Sequence, residues 1–394
     1  MRHKDENAYG QQPKKRHVAG FIGRLVFRTL LLIVTAALLI SWGIYQHLDR
    51  ILRGPSPAAR DRMAVSLMTD SRFAWLPGLF LDDKTLSGLE DNFPETDKPM
   101  EAPQETIPVN MELPADAPKD EWADYPEGIR IEKIPGETYQ AYAMMIKDPS
   151  RVYLGLSNEE LSPSKLGKRV NEAMESEGAV AAINSGAFFD NGTSDPEVGA
   201  TPEGLVFSNG ECAWKTGTPP SKGFAGFNKD NKLIVLAENI GKEKAEEMNI
   251  RDGCCFGPAL MIDGKVCEGA EEKLPGRNPR TAIGQREDGT VIFLCIDGRQ
   301  ASSVGGNIAD VIELMQKLGA VNACNMDGGS STVMMYRDTE GRYGEAQKAY
   351  MVNSYSQLQA NPRRMPDYWM VKPMKKEAPA ETQPQETTEP QKEE

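Results

Sequence analysis

The segment TLLLIVTAALLISWGIYQ, Thr29 to Gln46, sets 18 residues in a row without a charge. That is close to the length a helix needs to cross the hydrocarbon core of a bilayer. Basic residues lead into it: Arg2, Lys4, Lys14, Lys15, Arg16, Arg24 and Arg28 stand against only Asp5 and Glu6. This excess predicts a cytoplasmic N-terminus and an outward-facing body. A cleaved signal peptide shares the order of charged and apolar regions, but SWGIYQHLDR offers no small-residue cleavage site. The segment therefore reads as an uncleaved signal anchor over 29–46, single-pass in the cell membrane, behind a basic cytoplasmic stretch over 1–28.

The chain outside the anchor divides by composition. Between Leu81 and Glu121, twelve acidic residues face Lys84, Lys98 and Lys119, with recurring prolines and almost no apolar periodicity. Such a segment buries too little apolar surface to offset its ordering entropy and reads as an extended spacer. The stretch SPAARDRMAVSLMTDSRFAWLPGLFL before it suits a membrane-surface helix or a stalk contact, so 47–121 forms a juxtamembrane stalk and linker. The tail over 376–394 repeats the acidic, proline-bearing character. With a net charge of −13, nucleic acid is not an expected partner. The folded domain is expected over 122–375.

Inside that domain, turn dipeptides separate strand-like runs. GLVFSNGECAWK reverses at Asn209-Gly210, ALMIDGKVCEG at Asp263-Gly264, and RTAIGQREDGTVIFLCIDG at Asp288-Gly289. Two helices are expected, from Ser162 to Gly178 and from Asn307 to Gly319, each beginning near a capping residue and stopping at glycine; ENIGKEKAEEMNI is a weaker third. Strands outnumber helices and hairpins make them antiparallel, which predicts an α+β domain with largely antiparallel or mixed sheets. Six cysteines, Cys212, Cys254, Cys255, Cys267, Cys295 and Cys324, fall in this outward body. An oxidising exterior permits disulfides, but the spacing selects no pairing.

The three histidines are His3, His17 and His47, so the folded domain has none. Histidine-dependent triads, general bases and histidine-rich metal sites are excluded together. The SPSK at Ser162 and Lys165 and the KTG from Lys215 stand too close together for a serine acyltransferase of the penicillin-binding kind. Chemistry then falls to carboxylates, arginines, hydroxyls or an oxygen-bound cation.

Four segments share one form, an apolar strand meeting a polar, glycine-bearing turn: VAAINSGAFFD, RNPRTAIG, FLCIDGRQASS and NACNMDGGSST. Glycine beside charged groups lets a ligand approach the backbone. At one sheet edge these turns make a polar pocket from Asn184, Asp190, Arg280, Asp297, Arg299, Asn325 and Asp327, with Ser330 and Ser331. Gly328 and Gly329 supply the close approach. Arginines suit a phosphate, and paired carboxylates suit acid/base work at a sugar. The serines are read as hydrogen-bonding groups rather than nucleophiles, since no base is present to activate them.

INSGAFF, NPRTAIG, IDGR followed by a helix, and NMDGGSS, in this order and approximate spacing, resemble the phosphodiester glycosidase family. The resemblance runs from about Glu127 to Pro373 and takes in GLVFSNGE, GPALMIDG and a closing NPRRMPDYWMV. It implies a single catalytic domain that hydrolyses the bond between a sugar's anomeric carbon and a phosphodiester oxygen. It further implies that Asp297 and Asp327 are catalytic, and that Asn184, Arg280, Thr281, Arg299, Asn325, Gly328, Gly329, Ser330 and Ser331 bind substrate. Ser185 and Ala187 flank Gly186 where the family often has a glycine pair, and Ser330 stands where a third glycine is common. The expected partner is a phosphoglycan or sugar-1-phosphodiester of the envelope or exterior, with no cofactor required. Two alternatives use the same residues: a phosphodiesterase assisted by Ca²⁺ or Mg²⁺ on Asp297 and Asp327, and a non-catalytic, membrane-tethered phosphoglycan-binding module.

Overall fold

Turn dipeptides dictate where the chain reverses. Asn209-Gly210 takes φ of 54° and 81°, and Asp263-Gly264 takes 49° and 76°, the left-handed pair that lets a two-residue hairpin follow the twist of its strands. The computed structural model describes residues 16–57, 75–86 and 121–374, apart from 190–198, 200, 217–221, 301, 344 and 355–361, together with residues 60, 63, 64 and 67. The basic stretch before Arg16, most of the acidic spacer, Asp190 and the C-terminal tail lie outside the described residues.

Strands numbered β1 to β17 along the chain form three sheets. The first has seven strands in the order β1 (Ile129–Pro135), β2 (Gln140–Ile146), β13 (Val291–Ile296), β12 (Arg280–Arg286), β14 (Ala320–Met326), β10 (Ala259–Ile262) and β11 (Lys265–Val266). The second runs β16 (Lys348–Met351), β15 (Met334–Asp338), β4 (Ala181–Asn184), β17 (Asp367–Val371) and β3 (Val152–Leu156). The third runs β6 (Glu211–Thr216), β5 (Gly204–Ser208), β9 (Ile250–Cys255), β7 (Phe224–Asn228) and β8 (Leu233–Leu236). Every pairing among the described residues is antiparallel. The fold is α+β, and the three expected hairpins are β5–β6, β10–β11 and β12–β13.

One large core links the sheets. Strands β12 and β13 bury nearly every side chain, as strands covered on both faces do. Trp369 of β17 meets Phe227 of β7 edge to face, with centroids 5.7 Å apart, joining the second sheet to the third.

Helices are few and short in this domain. In chain order they are α2 (Val170–Glu177), α3 (Lys242–Glu247) and α4 (Ile308–Lys317). Ile308, Val311, Ile312 and Met315 give α4 one buried stripe, which packs on β12 and β14. Asn307 caps its start: the Asn307 side chain accepts from the Asp310 amide at 2.9 Å, and the Asp310 carboxylate accepts from the Asn307 amide at 2.8 Å. The expected helix from Ser162 forms only from Val170. Pro163 and Gly167 precede it, and Lys168 instead bridges to Met365 as extended chain. A side chain at Gly167 would strike the carbonyls of Gly199 and Met365, so that segment is pinned against its neighbours rather than coiled.

The N-terminal apolar segment is a helix, α1 (Arg16–Leu52), long and apolar enough over Arg24–Leu52 to cross a membrane. Its C-terminal end has a small core of its own, where Leu52 packs with Ala64 and Phe80. Arg53 Nε donates to the Phe80 carbonyl at 2.9 Å, and Tyr45 lies 5.1 Å from the Phe80 ring. Phe80, beyond the apolar segment, thus packs against the end of the helix.

Candidate active site

Strand register alone gathers three of the four glycine-bearing turns. Arg280, the first residue of β12, lies opposite Ile296, the last of β13, and Thr281 lies opposite Met326, the last of β14. Because β12 runs against both neighbours, Asn278-Pro279, Asp297-Gly298-Arg299 and Asp327-Gly328-Gly329 leave the same sheet edge. The fourth turn arrives from β4 in the second sheet. The Asp327 amide donates to the Ser185 carbonyl at 3.0 Å, and Asn184 Nδ2 donates to the Asp327 carbonyl at 2.6 Å.

The glycines explain how tightly the turns stack. A Cβ at Gly328 would stand 2.7 Å from the Pro279 carbonyl, and one at Gly298 would stand 2.6 Å from the Pro279 nitrogen. The Gly329 amide donates to the same Pro279 carbonyl at 2.9 Å. The sequence assigns Gly328 and Gly329 to ligand approach; in the structure Gly298 and Gly328 also let three turns touch one another. Gly329, with φ of +61°, is different: the space where its side chain would point holds the Arg299 guanidinium, with Nη2 3.2 Å from the Cβ position.

Asn184 is the cross-sheet tie. It is fully buried, and its Oδ1 accepts from Thr281 Oγ1 at 2.8 Å and from the Val333 amide at 3.1 Å. Thr281, itself buried, therefore serves Asn184. Asn325 turns away, donating through Nδ2 to the Gly257 carbonyl at 2.9 Å, while its buried Oδ1 has no hydrogen-bond partner.

The two sequence-predicted arginines differ. Arg280 is buried and donates to three carbonyls, Gly306 at 3.1 Å, Leu274 at 2.9 Å and Gly276 at 2.6 Å. Burial, followed by the nearby positive charge of Arg299, pushes its pKa down to about 10, so it remains a cation at neutral pH. Arg299 is half-buried, with a left-handed backbone at φ of 58°. Its Nη2 donates to Asn278 Oδ1 at 3.0 Å, which aims the guanidinium at the Asp327 turn.

The carboxylates differ as well. Asp297 is buried; its Oδ1 accepts from Asn353 Nδ2 at 3.2 Å and its Oδ2 from the Ser354 amide at 3.1 Å. Burial raises its pKa, against the lowering effect of those donors. Asp327 is half-buried at the head of its turn. A second half-buried acid, Glu203, was not singled out by sequence reasoning. Its amide donates to the Ala187 carbonyl at 2.8 Å, and the neighbouring Pro202 bridges to Phe188. Burial raises the Glu203 pKa, and the charge of Asp327 raises it further.

Arg363 is a further residue that sequence reasoning passed over. Its guanidinium lies over the Phe188 ring, 4.8 Å from the centroid, with Nη1 3.5 Å from both Ser330 Oγ and Ser331 Oγ. It belongs to the closing NPRRMP segment, which has no glycine to mark it. Phe189 is exposed.

Beneath the Asn184 turn lies Asp367. Ser185 Oγ donates to its carboxylate and, at 2.9 Å, to its carbonyl. Burial pushes the Asp367 pKa up to about 6, against hydrogen bonds from Ser185 and Gly186. A carboxyl that holds its proton more tightly when folded gives stability that is complete below its unfolded pKa near 3.8 and is lost as the pH rises through 6. The shift corresponds to about 3 kcal/mol. Wild-type protein in detergent should melt at a higher temperature at pH 4.5 than Asp367→Asn predicts from its own flatter profile. Parallel calorimetric profiles between pH 4 and 7 would refute the assignment.

Among the described residues no three His, Cys, Asp or Glu side chains cluster as a metal set, and the six cysteines are free thiols, five of them buried. Lys165 Nζ donates to the Glu160 carbonyl at 3.3 Å, and Ser162 pairs with Ser164 at 2.9 Å, so the SPSK segment forms no serine–lysine pair.

Residues 177–372 match the family model described as phosphodiester glycosidase. The SPbeta prophage-derived uncharacterized protein YomE of Bacillus subtilis is 28% identical over 229 residues, covering 54% of this chain and 33% of that protein; the chain thus spans about a third of that relative. Among solved structures, the zebrafish N-acetylglucosamine-1-phosphodiester alpha-N-acetylglucosaminidase catalytic domain, auto-inhibited by its pro-peptide, is similar with a TM-score of 0.49 at 16% identity, covering 68% of this chain and 88% of that one. A hypothetical protein from Synechocystis has a TM-score of 0.44 at 16% identity, covering 62% and 61%.

Proposed function

From residues 177–372, which belong to the phosphodiester glycosidase family, we propose that the chain hydrolyses sugar-1-phosphodiesters of envelope or extracellular glycans from an N-terminal membrane anchor. The observation that carries this reading is the stacking of the Asp327, Arg299 and Asn184 turns into one rigid corner. It brings the turn headed by half-buried Asp327 together with the turn that carries Arg299, groups suited to cleaving the bond between an anomeric carbon and a phosphodiester oxygen.

The bond from the anomeric carbon to the bridging oxygen breaks, and its electron pair leaves with that oxygen as a phosphomonoester. Water supplies a hydroxyl to the anomeric carbon and gives up a proton. Phosphate is a good leaving group, so stabilising the oxocarbenium-like centre matters more than a strong general acid. In this proposal Asp327 faces that centre and Glu203 accepts the proton from water. Arg299 meets the phosphate through paired N–H groups. Arg280, committed to three carbonyls, holds the Leu274–Gly276 segment and adds positive potential from behind. Asp297, expected from the sequence to share the catalytic work with Asp327, also accepts hydrogen bonds from the Asn353–Ser354 loop, and Asn184 and Thr281 position Asp327.

The test is product analysis with full-length protein in detergent micelles and a panel of sugar-1-phosphodiesters. Free sugar plus a phosphomonoester is the expected result. Sugar phosphate plus free alcohol would replace this reading with a phosphodiesterase.

A further inference from the structure

We propose that Arg363 is a second phosphate-binding cation, seated with Arg299 on the Gly329–Ser331 turn and engaged chiefly as charge builds on the departing phosphate. The proposal rests on the glycosidase reading above for its step, but its binding consequence stands apart from turnover.

The geometry begins with the turn. Residues Gly329–Ser331 form one turn of 3₁₀ helix, and two guanidinium groups reach it. Arg299 occupies the space over Gly329, while Arg363 Nη1 reaches both serine hydroxyls at 3.5 Å. The Phe188 ring, 4.8 Å from the Arg363 guanidinium, restrains it through a cation–π contact. Phe188 is itself held by its bridge to Pro202. This platform limits the side-chain freedom that a long arginine otherwise loses on binding.

The chemistry needs two cations at different moments. A phosphodiester carries one negative charge; the phosphomonoester that departs with the electron pair of the broken bond carries two. A single arginine matches the substrate. A second one, already oriented, is repaid only as the anomeric bond breaks and the second charge develops, which makes it an interaction of the transition state rather than of the ground state. The hydroxyls of Ser330 and Ser331 stand beside the same oxygens as further hydrogen-bond partners.

Two measurements on full-length protein in detergent test this. In the first, binding of ethyl phosphate, a dianionic monoester at pH 8, is compared with binding of diethyl phosphate, a monoanionic diester, by calorimetry. Wild type should prefer the monoester by about tenfold or more, since the second charge meets a second cation. Arg363→Gln should lose that preference, Arg363→Lys should keep part of it, and Lys317→Gln, an exposed control, should leave it unchanged. In the second, Arg363→Gln should lower kcat on a sugar-1-phosphodiester by about 10²-fold with little change in KM. A wild type that binds both esters equally, or an Arg363→Gln protein that keeps the preference, overturns the proposal. If the preference behaves as expected but no sugar-1-phosphodiester is cleaved, the phosphate site stands and the glycosidase reading fails.

Discussion

Asp327→Asn should lower kcat for sugar-1-phosphodiester hydrolysis by about 10³-fold while leaving KM within about threefold, the pattern of an interaction made in the transition state. The substitution keeps the shape of the turn. The backbone bonds from Asp327 to Ser185 and from Asn184 to Asp327 do not involve its carboxylate, so the corner is expected to survive. The substitution removes the negative charge that the proposed mechanism sets at the anomeric centre. Glu203 provides an internal check, because its pKa is raised in part by the charge of Asp327. Residual activity in Asp327→Asn should therefore rise at lower pH than in wild type, following a Glu203 that ionises more easily. Glu203→Gln should abolish that acidic limb altogether. Wild-type rates in Asp327→Asn, or an acidic limb that ignores both substitutions, would remove these carboxylates from the mechanism.

Asn184→Ala should damage both stability and turnover. Three hydrogen bonds end on this buried amide, and they join β4 to β12, to the strand approach at Val333 and to the Asp327 carbonyl. Removing it leaves the buried Val333 amide and Thr281 hydroxyl without this acceptor, which costs about 2–4 kcal/mol. For a domain of this size that lowers Tm by about 10 °C. Turnover measured well below the new Tm should still be down by about 10²-fold, since a displacement near 1 Å at the catalytic carboxylate is enough for that. Full turnover in a destabilised but folded variant would show that Asn184 stabilises the fold without positioning Asp327.

Much of this corner was legible because glycine and aspartate announce turns. NPRTAIG, IDGR and NMDGGSS lie on three strands whose antiparallel order follows from the hairpin at Asp288-Gly289 and from the return of β14. The helix Ile308–Lys317 was equally plain, since its cap, its buried stripe and its terminal glycine agree. Arg363 and Glu203 were not legible. Each reaches the site through contacts distant in sequence, Arg363 across Phe188 and Glu203 beside Ala187. The stretch from Ser162 misled because a polar, capped-looking run says nothing about the backbone packed against Gly167. Arg280 was found but not its partners, for three carbonyl acceptors leave no trace in residue type.

The hairpin at Asp288-Gly289 has a use of its own. It closes β12 and β13 at the end opposite Arg280 and Ile296, roughly 20 Å away at the rise of a strand. Because the candidate active-site corner is held by backbone contacts among its own turns, a change of length at the far end is expected to leave it in place. A peptide tag, a fluorophore or new chain termini placed between Asp288 and Gly289 would report on this protein, or reconnect it, while leaving its working end untouched.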